Sequence, residues 1–252
     1  DECDISINNH LPLCNTQLLR SYSQLDARVR PLVLIVKAWA KGVGVCGANE
    51  GNLSSYAWTI MVIYFFQLLD LLPSLQMLSE EPRSVTESDY WGIERTFNAA
   101  FLPAEEYLRR AGGDAGAGAQ LSVDAILYGF FQFFSREYAW GSEVVSIRCP
   151  DRHAADVWFK LYGKSHLEPG VHVEDPIELR DLNIVLRRDR LPQIKAELQR
   201  AAFLLGRGRS LEELLASPAL APIEAAPEQV QARRPVRRRS STLVQRRAFA
   251  AR

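Results

Sequence analysis

The chain has 252 residues, 47% of them hydrophobic and 24% charged. That is enough apolar content for a sizeable core, and it excludes a disordered, collagen-like or mucin-like polymer. The 30 basic and 30 acidic residues cancel, but unevenly: Arg233 to Arg252 holds eight arginines and no acid, so residues 1–232 carry 22 basic against 30 acidic groups. The chain reads as an acidic body with a basic tail. Cys3, Cys14, Cys46 and Cys149 stand far apart with no C-x-x-C pair, which fits reduced thiols of an intracellular protein rather than a disulfide scaffold. The longest apolar stretch, from Tyr56 to Phe66, is followed by Gln67 and Asp70 and is too short to cross a bilayer, so no membrane partner is expected. No cleavable signal opens the chain, which starts at Asp1, and an N-terminal portion is expected to be missing.

In chain order, DECDISINN (1–9) alternates apolar and polar residues and predicts a strand with one buried face. Residues 15–25 place Leu18, Leu19, Tyr22 and Leu25 on one helical face, with Asn15 or Thr16 as N-cap. Asp26 is expected to open a second helix, with Pro31 near its start and Val29, Leu32, Val33, Val36 and Ala40 on its apolar side. Gly42, Gly44, Gly47 and Gly51 predict a loop, and Ser54 caps a long apolar helix that stops at Pro73. Residues 79–119 read as irregular and polar, with a surface loop from Gly112 to Gly118. Helix returns over 122–138, with Ile126, Leu127, Phe130, Phe131, Phe133 and Phe134 as core. Val144–Ile147 and Val171–Val173 are short strands, and a last helix runs from about Leu191 to Leu205. From about Ser217 onward disorder is expected, and no internal repeat is visible. The fold class is mainly α with a few short strands (α+β).

Lys37 and Lys41 are spaced i, i+4 and project from one helical face about 6 Å apart, where they repel unless an anion lies between them. On spacing alone a solvated helix face is the simpler reading. Ser55 stands at a helix start, where free N–H groups and the dipole favour phosphate. Asp175 before Pro176 is compatible with a plain turn. Cys3, His10 and Cys14 have irregular spacing and no fourth ligand, which argues against zinc. Arg180, Arg187, Arg188 and Arg190 suit either an RNA path or a solvated surface.

Five blocks stand in order: CDISINN (3–9), CNTQLL (14–19), KAWAK (37–41) with NLSSYA (52–57), LYGFFQFFS (127–135) and VEDPIE (173–178). Over roughly residues 1–205 they resemble the terminal uridylyltransferases and related poly(A) polymerases of the polymerase-β-like nucleotidyltransferase superfamily, including the RNA-editing type. The resemblance implies the last strand of the catalytic (palm) sheet over 1–14, a helical central and poly(A)-polymerase-associated domain over 15–210, and a disordered basic tail over 211–252. It assigns Asp4 as catalytic and third metal carboxylate, with Mg²⁺ or Mn²⁺ as cofactor. Asn15 and Thr16 match ribose contacts, Lys37, Lys41 and Ser55 phosphate contacts, and Tyr56 the platform on which the base stacks. Asp175 and Glu178 match the acceptors of the base edge, suited to a uracil N3–H. Where many uridylyltransferases carry a His that crowds out adenine, this sequence has Asp181, or Leu182 with a one-residue shift.

The implied function is addition of UMP from UTP to RNA 3′ ends, within an RNA-processing complex. The compartment implied is the mitochondrion, with the cytoplasm as the alternative. A poly(A) polymerase and a non-catalytic module binding RNA or a partner are the alternative readings. The family's Gly-Ser turn and D-x-D pair are absent from these residues, so the chain alone is expected not to catalyse transfer: one carboxylate cannot hold two Mg²⁺ ions.

Overall fold

A computed structural model describes residues 9–88, 91–112, 121–150, 152–154, 158 and 170–216. Helices α1 (Leu11–Leu25), α2 (Val29–Gly42) and α3 (Ser55–Leu68) come first, followed by strands β1 (Ser84–Ser88) and β2 (Glu94–Asn98). Then come α4 (Ala104–Arg110), α5 (Val123–Gln132), β3 (Glu143–Val145), β4 (His153–Ala154), β5 (His172–Val173), α6 (Leu191–Gly206) and α7 (Leu211–Leu215). The fold is mainly helical with short strands, as its composition and periodicity predict.

Helix α3 is apolar on every side, buried from Ala57 to Gln67 except at Thr59, and therefore belongs at the centre of the body. Ser54 caps it, the side-chain oxygen accepting from the Ala57 N–H at 3.1 Å. Trp39 of α2 meets Trp58 of α3 edge-on at 5.4 Å and Phe131 of α5 at 4.7 Å, so three helices interlock through aromatic rings. Beyond α5, residues Phe133–Glu137 form a π-helical turn that carries Phe133 and Phe134 into the same core.

Strand β3 lies between β4 and β5, antiparallel to the first and parallel to the second, with Val144 opposite His172 and Val145 opposite Val173. A bridge between Glu174 and Asp181 continues this sheet into the turn that follows β5. The sheet is tied to the helices by buried polar groups. Gln67 of α3 donates to the Ile147 carbonyl at 2.9 Å, just past β3, while the Tyr22 hydroxyl of α1 holds the segment after α3, accepting from the Leu75 N–H at 3.2 Å. Glu143, buried at the start of β3, accepts from the Tyr64 hydroxyl and from Arg152.

Several boundaries differ from expectation. Helix α1 starts at Leu11 rather than near residue 15, because Pro12 is tolerated in a first turn whose N–H groups are free anyway. Asn15 and Thr16 are therefore interior residues, not caps; the Thr16 hydroxyl donates back to the Pro12 carbonyl at 2.7 Å. Asp26 forms the turn before α2 by accepting from the Arg28 N–H at 2.8 Å, and α2 begins at Val29. Helix α3 ends at Leu68, before Asp70 adopts φ +56° and well short of Pro73. Within 79–119, expected to be irregular, β1 and β2 form an antiparallel hairpin with Ser84 opposite Asn98, and α4 follows.

The tail boundary placed at residue 211 also moves. Residues Leu211–Leu215 form α7, which opens with a capping box between Ser210 and Glu213 and buries Leu214 fully. The strand expected over 1–9, most of the Gly112–Gly118 loop and the disorder from Ser217 onward lie outside the described residues. Among the described residues, no helix is long and apolar enough to cross a membrane.

Candidate functional site

An open cleft of about 1010 Å³ runs along the first turns of α1 and is lined by residues from three parts of the fold. Helix α1 and the residues before it contribute His10, Leu11 and Asn15, the hairpin contributes Thr86, Glu87 and Ser88, and the turn after β5 contributes Glu178 and Arg180.

Tyr56 sits half-buried in the first turn of α3, and its hydroxyl donates to Asn15 Oδ1 at 2.9 Å. Burial raises the Tyr56 phenol well above its ordinary range, and the nearby carboxylates of Asp175 and Glu178 push the same way against Arg180. Four matched residues from three elements thus converge on one place: Asn15, Tyr56, Asp175 and Glu178. Tyr56 stays neutral there and acts as hydrogen-bond donor.

The turn carrying the two carboxylates is closed from within. Asp175 Oδ1 accepts from the N–H groups of Ile177 and Glu178, both at 2.9 Å, and the Asp175 N–H donates to the Arg180 carbonyl at 2.8 Å. Leu179 takes φ +56°, a left-handed conformation that costs energy in a branched residue and is held by the bonds around it. Asp175 is buried, and burial first, then the charge of Glu178, raises its carboxyl above the ordinary value. Its position is that of a scaffold for the turn, close to Tyr56. Glu178 is half-buried at the cleft, paired with Arg180 at 3.0 Å.

Asp181 turns the other way. It is buried, 2.7 Å from His172 Nδ1, and accepts from the N–H groups of Val173 and Asn183 at 3.2 and 3.0 Å. It serves the sheet edge and does not line the cleft.

Lys37 and Lys41 form a second group. Burial pushes the Cys46 thiol up, against the pull of the Lys41 and Lys37 charges. Cys46 pairs in a parallel bridge with Leu53, directly before the α3 N-terminus, where the leading N–H groups have no intrahelical partner. Ser55 stands at that terminus. Neither lysine forms an ion pair among the described residues. The loop between is fixed by Gly51 at φ +77°, where a Cβ would come within 2.2 Å of the Arg187 stem. The matched residues therefore fall into one group around the Tyr56 hydroxyl and a second, cationic group, joined by the first turn of α3. Thr16 is exposed and does not line the cleft.

Arg187 is paired with Asp189 at 2.8 Å and Arg180 with Glu178, so these two arginines face carboxylates first. Asp4 lies outside the described residues, and among the described residues no group of three His, Cys, Asp or Glu side chains could hold a metal ion. Sequence reasoning missed Glu87 and its hairpin neighbours, which carry no local signal of the cleft they border.

No family model matches the chain. Individual relatives do. The poly(A) RNA polymerase GLD2-A of Xenopus laevis is 31% identical over 220 residues, covering 85% of this chain and 39% of that protein. The terminal uridylyltransferase cid1 of Schizosaccharomyces pombe is 31% identical over 153 residues, covering 60% of this chain and 34% of that protein. A crystal structure of the Cid1 poly(U) polymerase with Mg and 3′-dATP bound superposes with a TM-score of 0.65 at 29% identity, over 86% of this chain and 64% of that one. The fold is that of the nucleotidyltransferases. The chain belongs to the polymerase-β-like nucleotidyltransferase family, and it spans about two fifths of the length of the curated relatives it matches first.

Proposed function

We propose that this chain is the nucleotide-recognition part of an enzyme that adds nucleotides to RNA 3′ ends. The observation that carries the reading is the convergence of Asn15, Tyr56, Asp175 and Glu178, whose phenol-to-amide hydrogen bond of 2.9 Å joins the element matched to the ribose with the one matched to the base. In this reading the Tyr56 ring supports the base, and stacking of this kind is worth about 1–3 kcal/mol. Asn15 faces the ribose hydroxyls, and Glu178 accepts from the base edge. Lys37, Lys41 and the N–H groups at Ser55 neutralise the triphosphate. A divalent metal would be held by Asp4 together with carboxylates outside the described residues. It would supply charge neutralisation at the reacting phosphate. RNA is the second substrate.

The base proposed first is uracil, because Glu178 offers an acceptor suited to N3–H. A specific observation favours adenine as the second reading: Asp181, matched to the position where many uridylyltransferases carry a blocking His, is turned inward onto His172 and puts no side chain into the cleft. The test is primer extension by the full-length protein, offered UTP, ATP, CTP and GTP separately on one RNA. Extension with UTP far above the others supports the first reading and preference for ATP the second. No extension with any of the four, by a folded full-length protein, contradicts the proposed function.

A further inference from the structure

Among the described residues, strands β1 and β2 pair only with each other, and their hairpin is largely exposed, with the Thr86 and Thr96 hydroxyls 3.0 Å apart. The end of β1 reaches the cleft. The Glu87 carboxylate accepts from the N–H of His10 and from that of Leu11, the latter at 3.1 Å. Helix α1 has no cap of its own, since His10 at the N-cap position makes no side-chain bond to it. Glu87 thus supplies the missing acceptor and a negative charge at the positive end of the helix. Val85 and Phe97 of the same hairpin pack on a small cluster of Leu11, Cys14, Ala99 and Ile177, separate from the main core. That cluster joins the first turn of α1 to the turn that carries Glu178. Leu11 and Asn15, one helical turn apart on the same face, both line the cleft.

We propose that Glu87 is a positioning residue: it latches the hairpin onto α1 and so holds Asn15 where it meets the ribose. This rests on the reading of Asn15 as a ribose contact. The hairpin contributes little to the main core, and its distinguishing contacts are those with α1 and with Ile177 beside Glu178.

The test is calorimetric titration of the intact chain with the magnesium complexes of UTP and ATP and of their 2′-deoxy counterparts. The proteins compared are wild type, Asn15→Ala, Glu87→Ala and Glu87→Gln. Asn15→Ala is expected to abolish the preference for the ribonucleotide. Glu87→Ala should reduce that preference about fivefold, the effect of one net hydrogen bond. Glu87→Gln, whose amide oxygen still accepts, should retain most of it. An unchanged preference in Glu87→Ala, beside its loss in Asn15→Ala, overturns the proposal and leaves Glu87 a helix cap only. Retention of the preference in Asn15→Ala overturns the ribose reading itself, and the proposal with it. Should Glu87→Ala fail to fold, Glu87→Asp keeps the charge but shortens the reach; reduced preference is expected, and full retention overturns the latch.

Discussion

The Tyr56 hydroxyl donates to Asn15 Oδ1 at 2.9 Å across 41 residues of sequence. It fixes the amide of α1 against the first turn of α3, with Asp175 and Glu178 close enough to act on the phenol. Tyr56→Phe keeps the ring and releases Asn15. It should cost about 1 kcal/mol of stability and weaken nucleoside triphosphate binding only slightly. Tyr56→Ala also removes the platform and should lose about a further 1–3 kcal/mol of binding. Thermal melting and titration of both variants separate the hydrogen bond from the stacking surface.

Lys37 and Lys41 lie on the last turns of α2 and act on Cys46 through their charge, and Lys37 is the more buried of the two. Lys37→Ala should weaken UTP by about 1.5–3 kcal/mol and leave uridine binding nearly unchanged, because uridine lacks the charge the lysine meets. Titrations with the two ligands check this; equal losses would assign Lys37 to structure.

Burial raises the Asp175 carboxyl above its ordinary value of 3.8. The folded protein therefore holds that proton more tightly than the unfolded chain. The stability tied to this group is fully present below about pH 4 and is lost as pH rises through the raised folded value. Asp175→Asn keeps an oxygen for the Ile177 and Glu178 N–H groups and removes the titration. Urea midpoints measured from pH 3 to pH 7 should shift in favour of the Asn variant as pH increases.

Truncation after Ala216 and truncation after Arg209 should behave differently. The second removes α7, whose Leu214 is fully buried and whose Leu214 carbonyl accepts from Arg200 at 3.3 Å. Cutting after Arg209 should lower the melting temperature by several degrees, and Leu214→Ala alone should cost about 2–5 kcal/mol. Similar melting of the two truncated proteins would show that α7 does not support the body.

The helical core was legible because its apolar residues recur at helical spacing: Val29, Leu32, Val36 and Ala40 in α2, and Ile126, Phe130 and Phe131 in α5, are all buried as periodicity predicts. The start of α1 was not, because its cap comes from Glu87, 76 residues from Leu11, and nothing local marks it. The hairpin was missed because each strand carries a single large apolar residue, Val85 or Phe97, among polar ones. One apolar residue in five gives no repeat of the apolar–polar alternation by which a half-buried strand is read from sequence. The site was legible in part through family resemblance. That placed Tyr56, Asp175 and Glu178 together, whereas periodicity alone leaves Tyr56 as one more aromatic of a core helix. The double duty of Asp175, as scaffold of its own turn, needed the backbone path through Leu179 to be seen.

The most direct test of the proposed nucleotide site is a crystal structure of this chain soaked with a non-hydrolysable UTP analogue, or the ATP equivalent. The account predicts the base against the Tyr56 ring, with its edge toward Glu178 and its ribose at Asn15, and the phosphates directed to Lys37, Lys41 and the α3 N-terminus. A nucleotide seated elsewhere, or turned so that its phosphates approach Glu178 and its base the lysines, would contradict it.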